Sequence, residues 1–215
     1  MQQDIQILGP TFSTFVRTVM LCCEEKDIRY QAGLSWDGNE IGFKSAERYA
    51  LHPWGKVPVI KHQGLTLYET ASILRYLDGM FDGIALQPVD PVLRAQVDQW
   101  CGALGSYVDK ALVRDYLLEF AFPKGENGAV RLAEVAQAEP AVKETLALLN
   151  TQLGEQSFLC GEQLSLADLM VLPMLDYLAG LPLGGGLLAE QPTLNAYLQR
   201  LRARPSARTV LQTAS

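Results

Sequence analysis

Residues 57–77 read VPVIKHQGLTLYETASILRYL, a run in which two kinds of apolar pattern follow each other. Apolar segments at 57–60 and 65–68 flank the short turn His62-Gln63-Gly64, which is typical of two antiparallel strands joined as a hairpin. Residues 70–78 then have the pattern of a helix. The run therefore predicts a β-hairpin followed directly by a helix.

The residues before this hairpin predict a sheet with helices on it. Residues 4–8 form a short alternating run that Gly9-Pro10 stops, as expected of a first strand. A helix of about thirteen residues should begin at Ser13, followed by a weak strand at 28–34 and a short helix at 44–50. The order strand, helix, strand, helix, strand, strand, helix requires a mixed sheet with helices packed against it.

The second part of the chain has only helical patterns. Residues 83–91 carry two prolines and no periodicity, and helices are then predicted at about 92–121, 129–138, 140–154, 165–179 and 193–203. We therefore expect an α/β domain at 1–82, a linker at 83–91 and an all-helical domain at 92–215. Ser165, with Asp168 three residues later, has the spacing of a capping box at a helix start.

Composition excludes several classes of function. The 215 residues include 24 acidic and 18 basic side chains, a formal net charge of −6 that argues against a nucleic-acid partner. Without a targeting segment or an apolar run of about eighteen residues, a cytoplasmic protein with no membrane partner is expected. The four cysteines are interpreted as reduced, buried thiols. His52 and His62 lack the spacing of metal ligands, so no metal site is expected.

Four segments together resemble the cytosolic glutathione transferases, over nearly the whole chain. They are STFVR at 13–17, PWGKVP at 53–58, ETASILRYL at 69–77 and FLCGEQLSLAD at 158–168. The resemblance implies a thioredoxin-like domain with a mixed four-stranded sheet, followed by an all-α domain. Ser13 with Arg17 is similar to the serine-type members, namely the phi and theta classes and their bacterial relatives. No tyrosine precedes Tyr30 and no cysteine lies near the first turn, which disfavours the tyrosine and cysteine types.

The resemblance assigns the catalytic role to Ser13. A free thiol has a pKa of about 8.5, so only a few per cent is ionised at pH 7, and the thiolate is the nucleophile. A hydroxyl that donates to the sulfur beside a helix N-terminus favours the anion. The alternative for Ser13 is a plain helix N-cap, and Thr11 and Thr14 are alternative hydroxyls. The role of Arg17 stays open between a charge cap and a residue facing the other domain.

The predicted glutathione site follows from the charges of the tripeptide, which has two carboxylates and one ammonium. The resemblance places Glu69 at the ammonium and Thr70, at a helix start, at the γ-glutamyl carboxylate, although both could be simple caps. Val57, if Pro58 is cis, would pair its backbone with the cysteinyl residue. Lys44 and Lys56 are candidates for the glycine carboxylate, or solvated surface residues.

A hydrophobic electrophile is expected beside this site. The candidate residues are Thr11, Phe12 and Phe15 in the first domain and Tyr107 and Arg114 in the helical domain, where packing or an ion pair is the alternative. Phe43 stands where the phi type carries histidine.

The sequence thus predicts an enzyme that activates glutathione and conjugates it to a small hydrophobic electrophile in detoxification. Glutathione is the cosubstrate, with no metal and no nucleotide, and the resemblance implies a homodimer. Two alternatives remain open at this point. One is another glutathione-dependent reaction on the same site, such as peroxide reduction, dehalogenation or isomerisation. The other is a binding or regulatory protein that keeps the fold without useful catalysis.

Overall fold

The computed structural model describes residues 4–211, which form two compact units. The first contains the described residues up to Gln87 together with those from Arg204 onward, and the second contains Pro88–Ala203. The break at Gln87 falls inside the segment predicted as a linker. Among residues 4–211, no helix combines the length and the apolar character needed to cross a membrane.

The first unit is built on a four-stranded mixed sheet, as predicted. Its strands lie in the order β2 (Tyr30–Gly33), β1 (Ile5–Leu8), β5 (Val59–His62) and β6 (Leu65–Tyr68). β1 is parallel to β2 and antiparallel to β5, and β5 and β6 form the predicted hairpin. A separate small hairpin of β3 (Ser35–Trp36) and β4 (Asn39–Glu40) was not predicted. Its strands are two residues long, too short to show an alternation of apolar and polar residues in the sequence.

Three helices accompany this sheet: α1 (Thr14–Glu25), α2 (Ala46–Leu51) and α3 (Thr70–Met80). Every residue of α1 from Val16 to Cys23 is buried. Cys22 and Cys23 have free thiols that are fully buried. Burial raises the pKa of both thiols, so neither is a nucleophile at neutral pH. Cys101 is likewise buried, whereas Cys160 is only half-buried.

One buried apolar cluster holds the edge of the sheet that carries the predicted motifs. It joins residues from β1, β3, the segment after β4 and β5, with Leu51 and Tyr68 packed against it; its buried members are Leu8, Trp36, Ile41 and Val59. Apolar burial is worth about 25 cal/mol per Å², so a cluster of such side chains fixes the strand ends firmly. The loops that leave this edge therefore start from rigid anchor points.

The second unit has only helical regular elements among the described residues, with one isolated β-bridge between Phe158 and Gly161. It contains α4 (Pro91–Ala103), a π-helical segment (Leu104–Leu117), α5 (Leu118–Ala121), a 3₁₀ turn (Glu126–Gly128), α6 (Leu132–Leu153), α7 (Leu166–Gly180), α8 (Gly184–Ala189) and α9 (Pro192–Arg202).

Three of these helices differ from the sequence prediction. The run predicted at 92–121 is continuous, but its middle winds as a π-helix. The break predicted before Pro140 is absent, because α6 buries Val135 on one side of the proline and Val142 and Leu146 on the other. Packing on both sides outweighs the missing N–H of one residue. α8 was missed because it begins with three glycines, which have low helix propensity.

The predicted capping box at the start of α7 is confirmed, and it reaches further than a cap. Asp168 accepts hydrogen bonds from the Ser165 amide and hydroxyl, both at 2.7 Å, and from the Leu159 amide at 2.8 Å. The Tyr197 hydroxyl of α9 donates to it at 2.5 Å. Asp168 therefore links a loop, α7 and α9 within the second unit.

The last helix, α10 (Pro205–Leu211), lies in the first unit, although the sequence placed all residues after 92 in the helical domain. It packs against α1. The buried Glu25 carboxylate of α1 accepts two hydrogen bonds from the Arg204 guanidinium, both at 2.7 Å, and one from the Ser206 hydroxyl. A buried carboxylate needs such partners, which explains why this short helix returns to α1.

We expect Arg204→Ala to destabilise the protein by about 2 kcal/mol at pH 7, because it leaves a buried carboxylate without its cation. Burial alone would raise the pKa of Glu25, but the hydrogen bonds from Arg204 and Ser206 hold it below its usual value. Since the folded-state pKa is lowered, this stabilisation is present above the unfolded value of about 4.3 and is lost as the pH falls through the folded one. Urea unfolding between pH 7 and pH 3 measures both effects.

The matched control is Arg208→Ala, which removes an exposed arginine from the same helix. It should cost less than about 0.5 kcal/mol and keep the wild-type acid dependence. Equal losses in the two variants would contradict a specific role for the Glu25 contact.

Candidate active site

The register of the sheet brings three predicted motif segments to one edge. Leu8, the last residue of β1, pairs with Val59, and Val59 pairs with Tyr68, the last residue of β6. Adjacent strands lie about 4.8 Å apart, so the ends of β1 and β6 are separated by about 10 Å. Three extended residues span about the same distance. The edge therefore has the dimensions of an extended tripeptide.

The first and second segments touch at Gly9. Gly9 has φ +149°, and a Cβ there would lie 2.4 Å from Cγ2 of Val16 and 3.0 Å from Cβ of Val57. Any side chain would therefore force the two segments apart. Val57 precedes Pro58 through a cis peptide bond, the isomer on which its predicted role depended. Sequence reasoning read Gly9 only as a strand stop and missed this close approach.

Ser13 is the N-cap residue of α1, and its hydroxyl makes no capping hydrogen bond. Its backbone carries the turn instead: the amide donates to the Pro10 carbonyl and the carbonyl accepts from the Arg17 amide, both at 2.9 Å. Two other N-caps of the same side-chain chemistry behave differently: Ser45 accepts from the Arg48 amide, and Asp90 accepts from two amides of α4. The half-buried Ser13 hydroxyl is therefore left for another partner.

Arg17 braces the turn that carries Ser13. Its side chain is buried and its Nε donates to the Thr11 carbonyl at 3.2 Å. The hydrogen bond ties the buried guanidinium to the backbone of the turn, a role that the sequence prediction did not include. Of the two alternative hydroxyls, Thr14 is buried and Thr11 is half-buried.

Glu69 and Thr70 begin α3 at the other end of the edge. Glu69 is exposed, has φ +69° and makes no capping hydrogen bond with its side chain. A non-glycine residue in this conformation costs about 1–3 kcal/mol, and such residues concentrate at functional sites. Thr70 is buried as the first residue of the helix. The first turns of α1 and α3 hold no acidic residue, so neither positive helix end is neutralised by a carboxylate of its own first turn.

The two predicted lysines lie on neighbouring loops of the first unit and are exposed. Lys44 lies in the turn before α2. Arg48 of that helix is buried under this turn and donates to the Ile41 and Gly42 carbonyls at 3.2 and 2.9 Å. Phe43, which stands where histidine was expected, lies over its guanidinium at 4.9 Å. Lys56 directly precedes Val57.

The predicted electrophile residues belong to two different units. Thr11, Phe12 and Phe15 lie around Ser13, with Phe12 half-exposed. Tyr107 and Arg114 lie on the π-helical segment of the second unit, where Tyr107 is largely exposed and Arg114 is paired with Asp109. Within the described part of the chain, no three His, Cys, Asp or Glu side chains come together as a set that could hold a metal ion.

Two family models match the chain. Residues 12–80 match the model of the "Glutathione S-transferase, N-terminal domain", and residues 111–205 match that of the "Glutathione S-transferase, C-terminal domain". The two matches together include both ends of the sheet edge, from Ser13 to Thr70, and most of the helical unit.

Individual relatives cover nearly the full length of the chain. Glutathione S-transferase F11 of Arabidopsis thaliana is 24% identical over 98% of this chain and 99% of its own. The crystal structure of glutathione transferase F2 from Populus trichocarpa has a TM-score of 0.85 at 27% identity, covering 98% of each chain. A theta class glutathione S-transferase from Xanthomonas axonopodis pv. citri, solved with glutathione bound, has a TM-score of 0.79 at 27% identity. The match covers 100% of this chain and 99% of that one.

Proposed function

The chain belongs to the glutathione S-transferase family and is a transferase, and from this premise we propose that Ser13 activates glutathione bound along the sheet edge. The acceptor is a small hydrophobic electrophile. The observation that carries this proposal is the Ser13 hydroxyl, which stands at a helix N-terminus without capping it.

Glutathione would lie extended across the ends of β6, β5 and β1. The exposed Glu69 carboxylate would accept hydrogen bonds from the α-ammonium, and Thr70 with the N-terminus of α3 would hold the neighbouring carboxylate. The cysteinyl residue would pair with the backbone of Val57, which lies two residues before the β5 ladder begins. Lys44 and Lys56 would attract the glycine carboxylate.

Such a binding mode places the cysteinyl sulfur at the Ser13 turn. A hydrogen bond from the hydroxyl and the positive end of α1 both stabilise the thiolate over the thiol. A shift of about two pKa units corresponds to about 2.7 kcal/mol and makes the ionised form the majority at pH 7. The thiol proton passes to water before the attack.

In the transfer step, a lone pair of the thiolate sulfur forms the new carbon–sulfur bond. At a halogenated carbon, the carbon–halogen bond breaks and the halide leaves with its electron pair. At an activated double bond, the carbanion formed takes a proton from water. Thr11, Phe12 and Phe15 would contact the electrophile, and Tyr107 and Arg114 are the candidates on the second unit.

We also propose that the protein is a cytoplasmic homodimer whose reaction removes reactive electrophiles. Free cysteines, of which Cys22, Cys23 and Cys101 are buried, suit a reducing compartment. Large apolar side chains that remain exposed, such as Trp54 and Val92, are suited to an interface between copies.

Glu69→Gln tests the binding mode. We expect it to weaken glutathione binding about tenfold, because a charge-assisted hydrogen bond to the ammonium becomes a neutral one. Isothermal titration calorimetry measures the dissociation constants for glutathione and for its analogue without the α-amino group. Wild type should bind the analogue more weakly than glutathione, whereas the variant should distinguish them little.

Glu40→Gln, an exposed glutamate on β4, is the matched control and should bind like wild type. Conjugation is tested in parallel by mass spectrometry of the product from glutathione and an activated aryl chloride. Wild type that neither binds glutathione nor forms the thioether would refute the proposed function.

A further inference from the structure

His52 lies buried between the two segments that would hold glutathione. It is the residue after α2, only 3% exposed, in a protein with two histidines. Sequence reasoning considered it only as a metal ligand and excluded it. No catalytic step described above uses it.

The imidazole organises the turn that leads to Val57. The Trp54 amide donates to Nδ1 of His52 at 3.2 Å, and the Gly55 amide donates to the His52 carbonyl at 2.7 Å. Gly55 has φ +62°, and a Cβ there would lie 2.9 Å from Cε1 of Tyr49. Residues 52–55 thus form a closed turn that ends directly before Lys56.

The other side of the ring meets the end of β6. The centroids of His52 and Tyr68 lie 4.5 Å apart with the rings tilted by 37°, and Tyr68 directly precedes Glu69. Trp54 packs edge-on against both rings, at 6.1 Å from His52 and 6.5 Å from Tyr68. One buried side chain therefore contacts the turn before Val57 and the strand before Glu69.

We propose that His52 is a positioning residue that fixes the spacing between Val57 and Glu69 and so sets the affinity for glutathione. This inference rests on the proposed function. The neutral ring is required, because Nδ1 must accept the Trp54 hydrogen bond, and a proton on Nδ1 would turn that contact into a clash of two donors.

The charges around the ring support this protonation state at neutral pH. Burial lowers the pKa of His52; the nearby Glu69 carboxylate raises it and Lys56 lowers it. Since the folded-state pKa lies below the ordinary value of about 6.5, the turn is intact above that pH. It is lost as the pH falls through the folded value. Glutathione affinity should therefore fall on acidification.

Three substitutions separate the two ring nitrogens. In His52→Asn, Oδ1 stands one bond from Cγ, as Nδ1 does, and can accept from the Trp54 amide in an Asx turn. In His52→Gln, the amide group reaches the place of Nε2 and cannot close that turn. His52→Ala removes both nitrogen positions.

Calorimetry with glutathione at pH 7.5 should show about tenfold weaker binding for His52→Ala and His52→Gln, the loss expected of one buried hydrogen bond. His52→Asn should stay within about threefold of wild type. In conjugation assays the loss should appear in KM for glutathione, with kcat little changed. At pH 5, glutathione binding by wild type should weaken more than glutathione binding by His52→Asn. That variant retains His62 and every other titrating group, so the difference belongs to His52.

Thermal unfolding confirms that each variant is folded, and if His52→Ala is not, the asparagine and glutamine pair decides. Rescue by glutamine but not asparagine, or equal binding by all variants, would overturn the role of Nδ1. An acid response that is the same in wild type and His52→Asn would overturn it as well. Failure of wild type itself to bind glutathione at any pH would refute the proposed function instead.

Discussion

Ser13→Ala should lower kcat/KM for the electrophile, at saturating glutathione and pH 7, by about 25-fold, while the dissociation constant of glutathione rises only about fourfold, as a two-unit change in the pKa of the bound thiol requires. With a thiol pKa near 6.5, about three quarters of bound glutathione is thiolate at pH 7; with a pKa near 8.5, about 3% is. In the proposed binding mode, the Ser13 hydroxyl contacts neither the two carboxylates nor the ammonium by which the protein holds glutathione. The loss should therefore shrink as the pH rises towards 9, where both proteins ionise the thiol.

The direct measurement is the thiolate absorbance of bound glutathione against pH. Wild type should titrate at least one unit below free glutathione, and Ser13→Ala should titrate close to it. Ser72→Ala, an exposed serine on α3, is the matched control and should titrate like wild type. A shift that survives in Ser13→Ala and disappears in Thr11→Ala or Thr14→Ala would transfer the role to a threonine. If the pKa of glutathione bound to wild type is unshifted, the chain would be a binding protein that does not activate the thiol.

The site was only partly predictable because its geometry depends on long-range pairing. Each segment carries a local signal, such as the hairpin at 57–68 or the helix from Thr70. What brings these segments together is the register of Leu8 with Val59 and of Val59 with Tyr68, which no local pattern specifies. Likewise a serine before a helix predicts a cap, and only the structure shows that the Ser13 hydroxyl does not cap.

The fold predictions failed where tertiary contacts override local preference. Pro140 predicts a helix boundary, but the buried stripe of α6 continues past it. Residues 205–211 give a weak helical signal, and their place beside α1 depends on Glu25, which lies some 180 residues earlier. The interval is too long for sequence spacing to suggest the pair. The capping box at Ser165 was predictable because its four residues are contiguous.

Asp168→Ala should destabilise the second unit by about 4 kcal/mol, more than any surface substitution. The carboxylate is fully buried and accepts from the Leu159 amide, from the Ser165 amide and hydroxyl, and from the Tyr197 hydroxyl. Alanine leaves these donors without a partner, and each buried unsatisfied group costs about 1–3 kcal/mol, although relaxation recovers part of the total. Urea unfolding followed by far-UV circular dichroism gives the free energy.

A double-mutant cycle separates the linking role of Asp168 from simple loss of a cap. Tyr197→Phe removes a single donor and should cost about 1 kcal/mol, and Ser165→Ala should cost about the same. If Asp168 joins α7 to α9, the cost of Tyr197→Phe should vanish in the Asp168→Ala background, because the hydroxyl has already lost its acceptor. If Asp168 acts only as the cap of α7, the free-energy costs of Tyr197→Phe and Asp168→Ala should add. The cost of Ser165→Ala should then approach that of Asp168→Ala. The first outcome would make Asp168 the residue that ties α7 to α9 within the second unit. None of its partners belongs to the segments proposed to hold glutathione, so its substitution should reduce folded yield without changing the pKa of bound glutathione.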